Sequence, residues 1–299
     1  MIASWFSDFS FIFVSLFVQG IPFLFIASLL GVTAIHLFPV ERWIQRLPQA
    51  RWASSLLGGL AGFFIPSCEC VSVPAIRRLV QVGLPVPAAV AYLFASPVLN
   101  PLCIISTWTA FYNQQPFRIV ALRVGGSFFI SFLLAWIISM RSKDKVWRDD
   151  LLLSINPRIM RTIRPRLPEI LANVIHDFLQ ISFLYIAGCA LTAALQTAPF
   201  FSSFYYQTGT NEAASILSLM LAGMLMNLCS SVDAFIANAW IGYPLAAKIA
   251  FLWTGPILGL KLLLIYQTLF RKRAILNILI ISCLLVFCMS WVVGKFYVF

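Results

Sequence analysis

The sequence is short of acid, of histidine and of polar stretches. Of its 299 residues only 10 are Asp or Glu and 2 are His, against 21 Lys and Arg, and charged residues make up 10% of a chain that is 61% hydrophobic. A single long polar connection, 141–169, leaves no room for a sizeable soluble domain, and a mean hydropathy of +0.92 belongs to a polytopic membrane protein. The two histidines, His36 and His176, lie far from the main cysteine motif, so no complete tetrahedral zinc spacing exists. Seven cysteines without paired spacing exclude a disulfide framework. There is no ATP-binding motif, and the residue pattern implies no cofactor and no enzyme. A basic n-region is also missing: Trp5, Phe6 and Asp8 stand there instead, so the N-terminus reads as mature protein. In a soluble protein the net charge of +11 would suggest nucleic acid, but here the bases cluster between apolar spans, as orientation by positive loops requires. Nucleic acid is not an expected partner, and the lipid bilayer is.

What the chain does have is Gly62-Phe-Phe-Ile-Pro-Ser-Cys-Glu-Cys-Val-Ser-Val-Pro74, which sets two thiols, a carboxylate and two prolines inside apolar sequence. Burying a carboxylate in a bilayer costs several kcal/mol, and broken backbone is tolerated there only where it lines a cavity. This points to a substrate site. A second copy follows. Leu60-Ala61-Gly62 and Cys68 are echoed 161 residues later by Leu221-Ala222-Gly223 and Cys229, and Ser96-Pro-Val-Leu-Asn100 is echoed 159 residues later by Gly255-Pro-Ile-Leu-Gly259. One two-residue gap reconciles the offsets, and duplication of this kind is common in transporters.

Apolar runs at 9–40, 85–111, 117–140, 170–199, 245–270 and 274–293 are long enough to span, given about 20 helical residues for a core of about 30 Å. The segments 52–65 and 213–226 are shorter, and each ends at a motif. If both motif segments crossed the membrane there would be eight crossings, with the basic loops 41–51 and 271–273 opposite the basic loop 141–169. As re-entrant hairpins they leave six crossings, and every basic loop, with Arg77 and Arg78, falls on the cytoplasmic side. The expected fold is therefore an all-α integral membrane protein of two inverted repeats, each with three transmembrane helices and one re-entrant or broken-helix hairpin; eight full crossings are the alternative. Residues 1–140 form the first repeat, 141–169 a basic cytoplasmic loop and 170–299 the second repeat. Three crossings per half invert the second copy, so the two hairpin tips meet near the midplane.

At those tips, Cys68-Glu69-Cys70 is the most specific signal. On a regular helix the two sulfurs would point roughly 200° apart, but in turn or extended backbone they can converge on one soft ion such as trivalent arsenic, copper(I) or zinc. Cys229 offers a third sulfur, which makes Cys68, Cys70 and Cys229 the candidate metal ligands. Glu69 and Asp233 can exchange a proton or balance a cation. Asn100, Asn227, Ser230 and Ser231 offer amide and hydroxyl ligands. Pro66, Pro74, Pro97, Pro101 and Pro256 are read as helix breaks that free carbonyls for a ligand or hinge. Cys103, Cys189, Cys283 and Cys288 read as small apolar packing residues, and His176-Asp177 as an anchor near the interface.

The Pro-Ser-Cys-Glu-Cys-Val-Ser-Val-Pro run, followed by Ala-Ser-Pro-Val-Leu-Asn-Pro and later by Asn-Leu-Cys-Ser-Ser-Val-Asp-Ala-Phe, resembles the ArsP-type predicted permease family over roughly 56–110 and 215–265. That resemblance implies a bacterial inner-membrane, multi-pass permease, with efflux of trivalent organoarsenicals as the activity of characterised members and Cys68, Cys70 and Cys229 as the arsenical ligands. Other members resemble one subunit of a two-protein permease tied to metal homeostasis, so the expected partners are a small soft solute or metal ion and a second membrane subunit or a homo-oligomer. Three further readings stay open: a zinc or other metal-ion permease, a membrane thiol oxidoreductase using the Cys68–Cys70 pair, and an assembly subunit of a larger complex.

Overall fold

Inside a bilayer every backbone N–H and C=O must find its partner within the chain, and long apolar runs without alternation do so as helices. The computed structural model describes residues 7–18, 21, 22, 25, 29, 44, 47, 48, 50–65, 67–141, 143–148, 167–197, 212–240 and 242–296, some of them, Cys70, His176 and Asp177 included, by backbone only. Among these residues there is no strand, only an isolated bridge between Trp147 and Phe270. The protein is an all-α integral membrane protein.

The first half holds α1 (Ser7–Val18), α2 (Arg51–Phe64), α3 (Glu69–Gln81), α4 (Val86–Leu99), α5 (Pro101–Ala110) and α6 (Pro116–Ser139), followed by the short α7 (Lys143–Val146). The second holds α8 (Leu167–Gln196), α9 (Glu212–Met226), α10 (Asp233–Ala239), α11 (Leu245–Leu258), α12 (Leu260–Tyr266) and α13 (Lys272–Phe296). Among the described residues three stretches are long and apolar enough to cross a membrane, namely α6, α13 and the run from α11 to α12, and α4 with α5 makes a fourth, bent by 42°. The expected span 9–40 lies mostly outside the described residues.

The two halves repeat element by element. An apolar helix (α2, α9) ends at a motif; a shorter helix (α3, α10) leaves it; a broken pair follows (α4–α5, α11–α12); a long helix (α6, α13) closes the half. Packing repeats as well. A Cβ added at Gly62 would lie 2.9 Å from Ser96 Cα, and one added at the equivalent Gly223 would lie 3.4 Å from the N of Gly255, the residue that aligns with Ser96. In both halves the helix that ends at the motif (α2, α9) runs close against the backbone of the broken one, so that a Cβ would clash at Gly62 and press on Phe251 O at 3.0 Å at Gly223.

Three of the expected proline breaks are corrected. The helices run straight through Pro74, Pro97 and Pro256, and the breaks fall at Asn100 and Gly259. A single proline removes one hydrogen bond, to the carbonyl four residues earlier, which packed neighbours can offset. The residue before a proline is a harder stop, because its α conformation clashes with the ring. Asn100 stands before Pro101 and is extended (φ −61°, ψ 128°), and Gly259 copies that geometry (φ −50°, ψ 135°). Pro101 is thus a break as expected, and Pro66 lies outside the described residues.

Beyond α6 the basic connection folds back onto the second half. Trp147 is buried and stacks on Phe270 at 5.1 Å, the backbone N–H of Arg148 donates to Leu269 O, and Arg271 donates through its backbone N–H to Val146 O and through Nε to Trp147 O. This strap brings the start of the loop 141–169 against the basic 271–273 segment.

Candidate functional site

Each motif is held open by side chains that satisfy backbone groups the neighbouring helices leave free. Past α2, Tyr92 Oη donates to Ile65 O (3.0 Å) and lies 3.2 Å from Ser67 Oγ, and the Ser67 and Ser96 hydroxyls pair at 2.9 Å. Cys68 is the extended residue that opens α3 (φ −73°, ψ 166°). Past α9, Gln196 Nε2 donates to Leu225 O and Met226 O, and Asn227 takes a left-handed conformation at φ 51°, which asparagine tolerates better than most residues. Its Nδ2 donates to Thr192 Oγ1 at 2.6 Å. The second motif also reaches the first half directly. Pro101 has no N–H to give Pro97 O, and Ser230 Oγ donates to that carbonyl instead, at 3.1 Å.

Four charged side chains meet at this junction, each at most 4% exposed. Arg123, from α6, donates through Nη2 to both Asp233 carboxylate oxygens (2.8 and 2.7 Å) and to Ser230 O (2.8 Å), and through Nη1 to Thr107 Oγ1 (2.6 Å). Lys261, from α12, donates to Asn227 O at 3.0 Å and lies 3.9 Å from Glu69 Oε2. Glu69 accepts from the backbone N–H of Ser230, while its Oε1 is buried and finds no hydrogen-bond partner among the described residues. Both pairs are crossed: Arg123 and Glu69 belong to the first half, Asp233 and Lys261 to the second. A buried charge is tolerated only when paired and hydrogen-bonded. The Arg123 pair makes four such bonds and leaves only Arg123 Nε without a partner among the described residues, whereas the Lys261–Glu69 pair is looser and leaves one carboxylate oxygen free.

Cys68 and Cys229 flank this cluster, both half-buried, and Cys229 lies within electrostatic range of Glu69, Lys261 and Cys68. Cys103, expected to be packing only, is buried on α5 within the same range of Arg123, Asp233, Cys229 and Glu69. The structure therefore draws together Cys68, Glu69, Asn227, Cys229, Ser230 and Asp233. Ser231 is half-buried in the turn between Cys229 and α10. Asn100 accepts from the backbone N–H of Leu102, so its amide oxygen caps α5. Cys70 differs from expectation: its backbone sits in the first turn of α3 rather than in extended chain, and its sulfur lies outside the described residues. Among the described residues no three of His, Cys, Asp and Glu come close enough to hold a metal ion.

Sequence reasoning missed Arg123 and Lys261. The signal was present, because each lies deep within an apolar run (117–140 and 245–270), where loop orientation does not explain it.

A family model described as a predicted permease matches residues 6–295. The chain belongs to this ArsP-type permease family. Two relatives of the permease are bacterial. One, UPF0718 protein YcgR of Bacillus subtilis, is 34% identical over 88% of each chain. The other, from Streptococcus mutans, is named as a two-component membrane permease complex subunit and is 26% identical over 95% of this chain and 94% of its own. No solved structure matches the permease.

Proposed function

We propose that this membrane permease moves an uncharged, thiol-reactive solute, a trivalent organoarsenical, out of the bacterial cytoplasm across the inner membrane, binding it between Cys68 and Cys229. The observation that carries the reading is the balanced junction: two half-buried thiols stand beside two acids and two bases whose charges cancel. A site of zero net charge offers a bare divalent cation no net attraction to offset its lost hydration, and Arg123 and Lys261 repel it. A neutral thiophile pays neither cost. Glu69, Asn227, Ser230 and Asp233 frame the binding region in this reading, and the two motif hairpins open alternately to either face.

The crossed pairs and repeated elements support an inverted repeat with re-entrant motif hairpins. So does the strap, because residues 146–148 lie beside 269–271, which suits two loops on one face, as in the six-crossing arrangement. A reporter inserted at 205 is expected outside and one at 155 inside; finding both on one side overturns the topology. The Streptococcus relative's name supports a second membrane subunit as partner.

The functional test compares cellular arsenic and zinc, by elemental analysis, in cells carrying the wild type or Cys68→Ser/Cys229→Ser and challenged with a trivalent organoarsenical or with zinc. Wild type should lower arsenic several-fold and the double variant should not. A change in zinc alone replaces the arsenical reading with metal-ion transport.

A further inference from the structure

On the lipid-facing side of the molecule, α6 and α13 part to leave an apolar groove of about 430 Å³. Gly125 and Phe129 of α6 form one wall, Met289 and Val293 of α13 the other, Trp253 the floor, and Arg118 stands at the mouth. Two adjacent glycines in a helix cost roughly 1 kcal/mol each relative to alanine, so each calls for a reason. At Gly126 it is Trp253, whose ring a Cβ would overlap. At Gly125 a Cβ would meet nothing within 4 Å. The missing side chain there is open space, and that space is the groove. The second half does not repeat it, since α13 carries no glycine before Gly294.

Dimensions and charge select the occupant. From Arg118 to Phe129 is eleven residues of helix, about 16 Å, which is about half of a hydrocarbon core of about 30 Å and hence the depth of one leaflet. Spread over that length, 430 Å³ gives a mean cross-section of about 27 Å². A partner helix about 10 Å across needs roughly 80 Å², whereas a single hydrocarbon chain fits. At the mouth, Arg118 is exposed in the first turn of a 24-residue helix whose N-terminal amides add positive potential. One apolar chain below and an anion above describe a phospholipid.

We propose that this groove is a binding site for one phospholipid, its acyl chain lying against Gly125 and Trp253 and its phosphate on Arg118. The lipid then wedges between the first half's α6 and the second half's α11 and α13. It is also one hydrogen bond from the charged junction, because Trp253 Nε1 donates to Arg123 O at 3.1 Å.

The test uses the full chain in mild detergent, with native mass spectrometry to count bound lipid and two titrated probes, palmitoyl-oleoyl phosphatidylglycerol and the matching diacylglycerol. Wild type is expected to keep one phospholipid and to bind phosphatidylglycerol at least tenfold more tightly than diacylglycerol. Gly125→Leu fills the groove without overlap and should lose retention at least tenfold while melting no lower than wild type. Arg118→Gln, at an exposed position that folding does not need, should erase the preference for phosphatidylglycerol and leave diacylglycerol binding unchanged. Retention by Gly125→Leu equal to wild type, or an Arg118→Gln preference equal to wild type, overturns the proposal. Release of the lipid by detergent alone, with both probes bound equally, does so too.

Discussion

Arg123→Met is expected to destabilise the permease by about 3–5 kcal/mol, the range seen when one member of a buried ion pair is removed and the other is stranded. The loss compounds because Arg123 serves four acceptors at once: both oxygens of Asp233, the carbonyl of Ser230 and the hydroxyl of Thr107. Water does not reach the gap, with Asp233 2% exposed. Removing both charges should be far milder, since an apolar pair of similar volume carries no desolvation penalty. Arg123→Met/Asp233→Leu is therefore expected to recover most of the lost stability, although Ser230 O remains unpaired. Reversible unfolding in mixed micelles measures both variants. A single variant within about 1 kcal/mol of wild type, or a double variant no more stable than the single, would show that the pair does not brace the two halves.

Lys261→Met should lower the initial rate of solute transport more than tenfold, through two losses at once. Asn227 O loses its donor, which loosens the left-handed turn leading to Cys229, and Glu69 loses its counter-charge. Glu69→Gln added to Lys261→Met removes the stranded charge, so stability should return. Transport should not, because the site then lacks both the carboxylate and the base. Efflux from loaded vesicles and micellar unfolding, run on the same preparations, separate the two effects. Wild-type efflux by the double variant would reduce Lys261 and Glu69 to a fold element, and wild-type stability of the single variant would mean that Lys261 does not neutralise Glu69.

Much of the scaffold could be read from residues alone. Short apolar segments stopping at Cys68 and near Cys229, the interrupted spans around 96–101 and 254–256, and the repeat that links them are all local patterns, and each has a counterpart in the helices, the second interruption falling three residues later, at Gly259. The prolines misled because their cost is one hydrogen bond: Pro97 and Pro256 sit in helices buried on every side, where packing outweighs that loss, and the chain breaks instead where backbone sterics forbid α geometry at Asn100. At the site, the acids were legible because so few exist. Arg123 and Lys261 were not, because bases were counted as loop markers. An acid placed at membrane depth needs a base at the same depth, and the spans 117–140 and 245–270 offered four, these two with Arg118 and Lys248. Thr192 and Gln196 belong to another class, since nothing in a polar residue on a long apolar helix announces which distant turn it will cap.

The crossed pairs have a consequence for how such a chain can change over generations. Each half carries one acid and one base at the junction, yet neither base sits on its own half's acid. Neither half is therefore self-sufficient: a substitution at Asp233 is felt at Arg123, 110 residues earlier, before it is felt anywhere in its own half. At these four positions the halves are bound to change together or not at all.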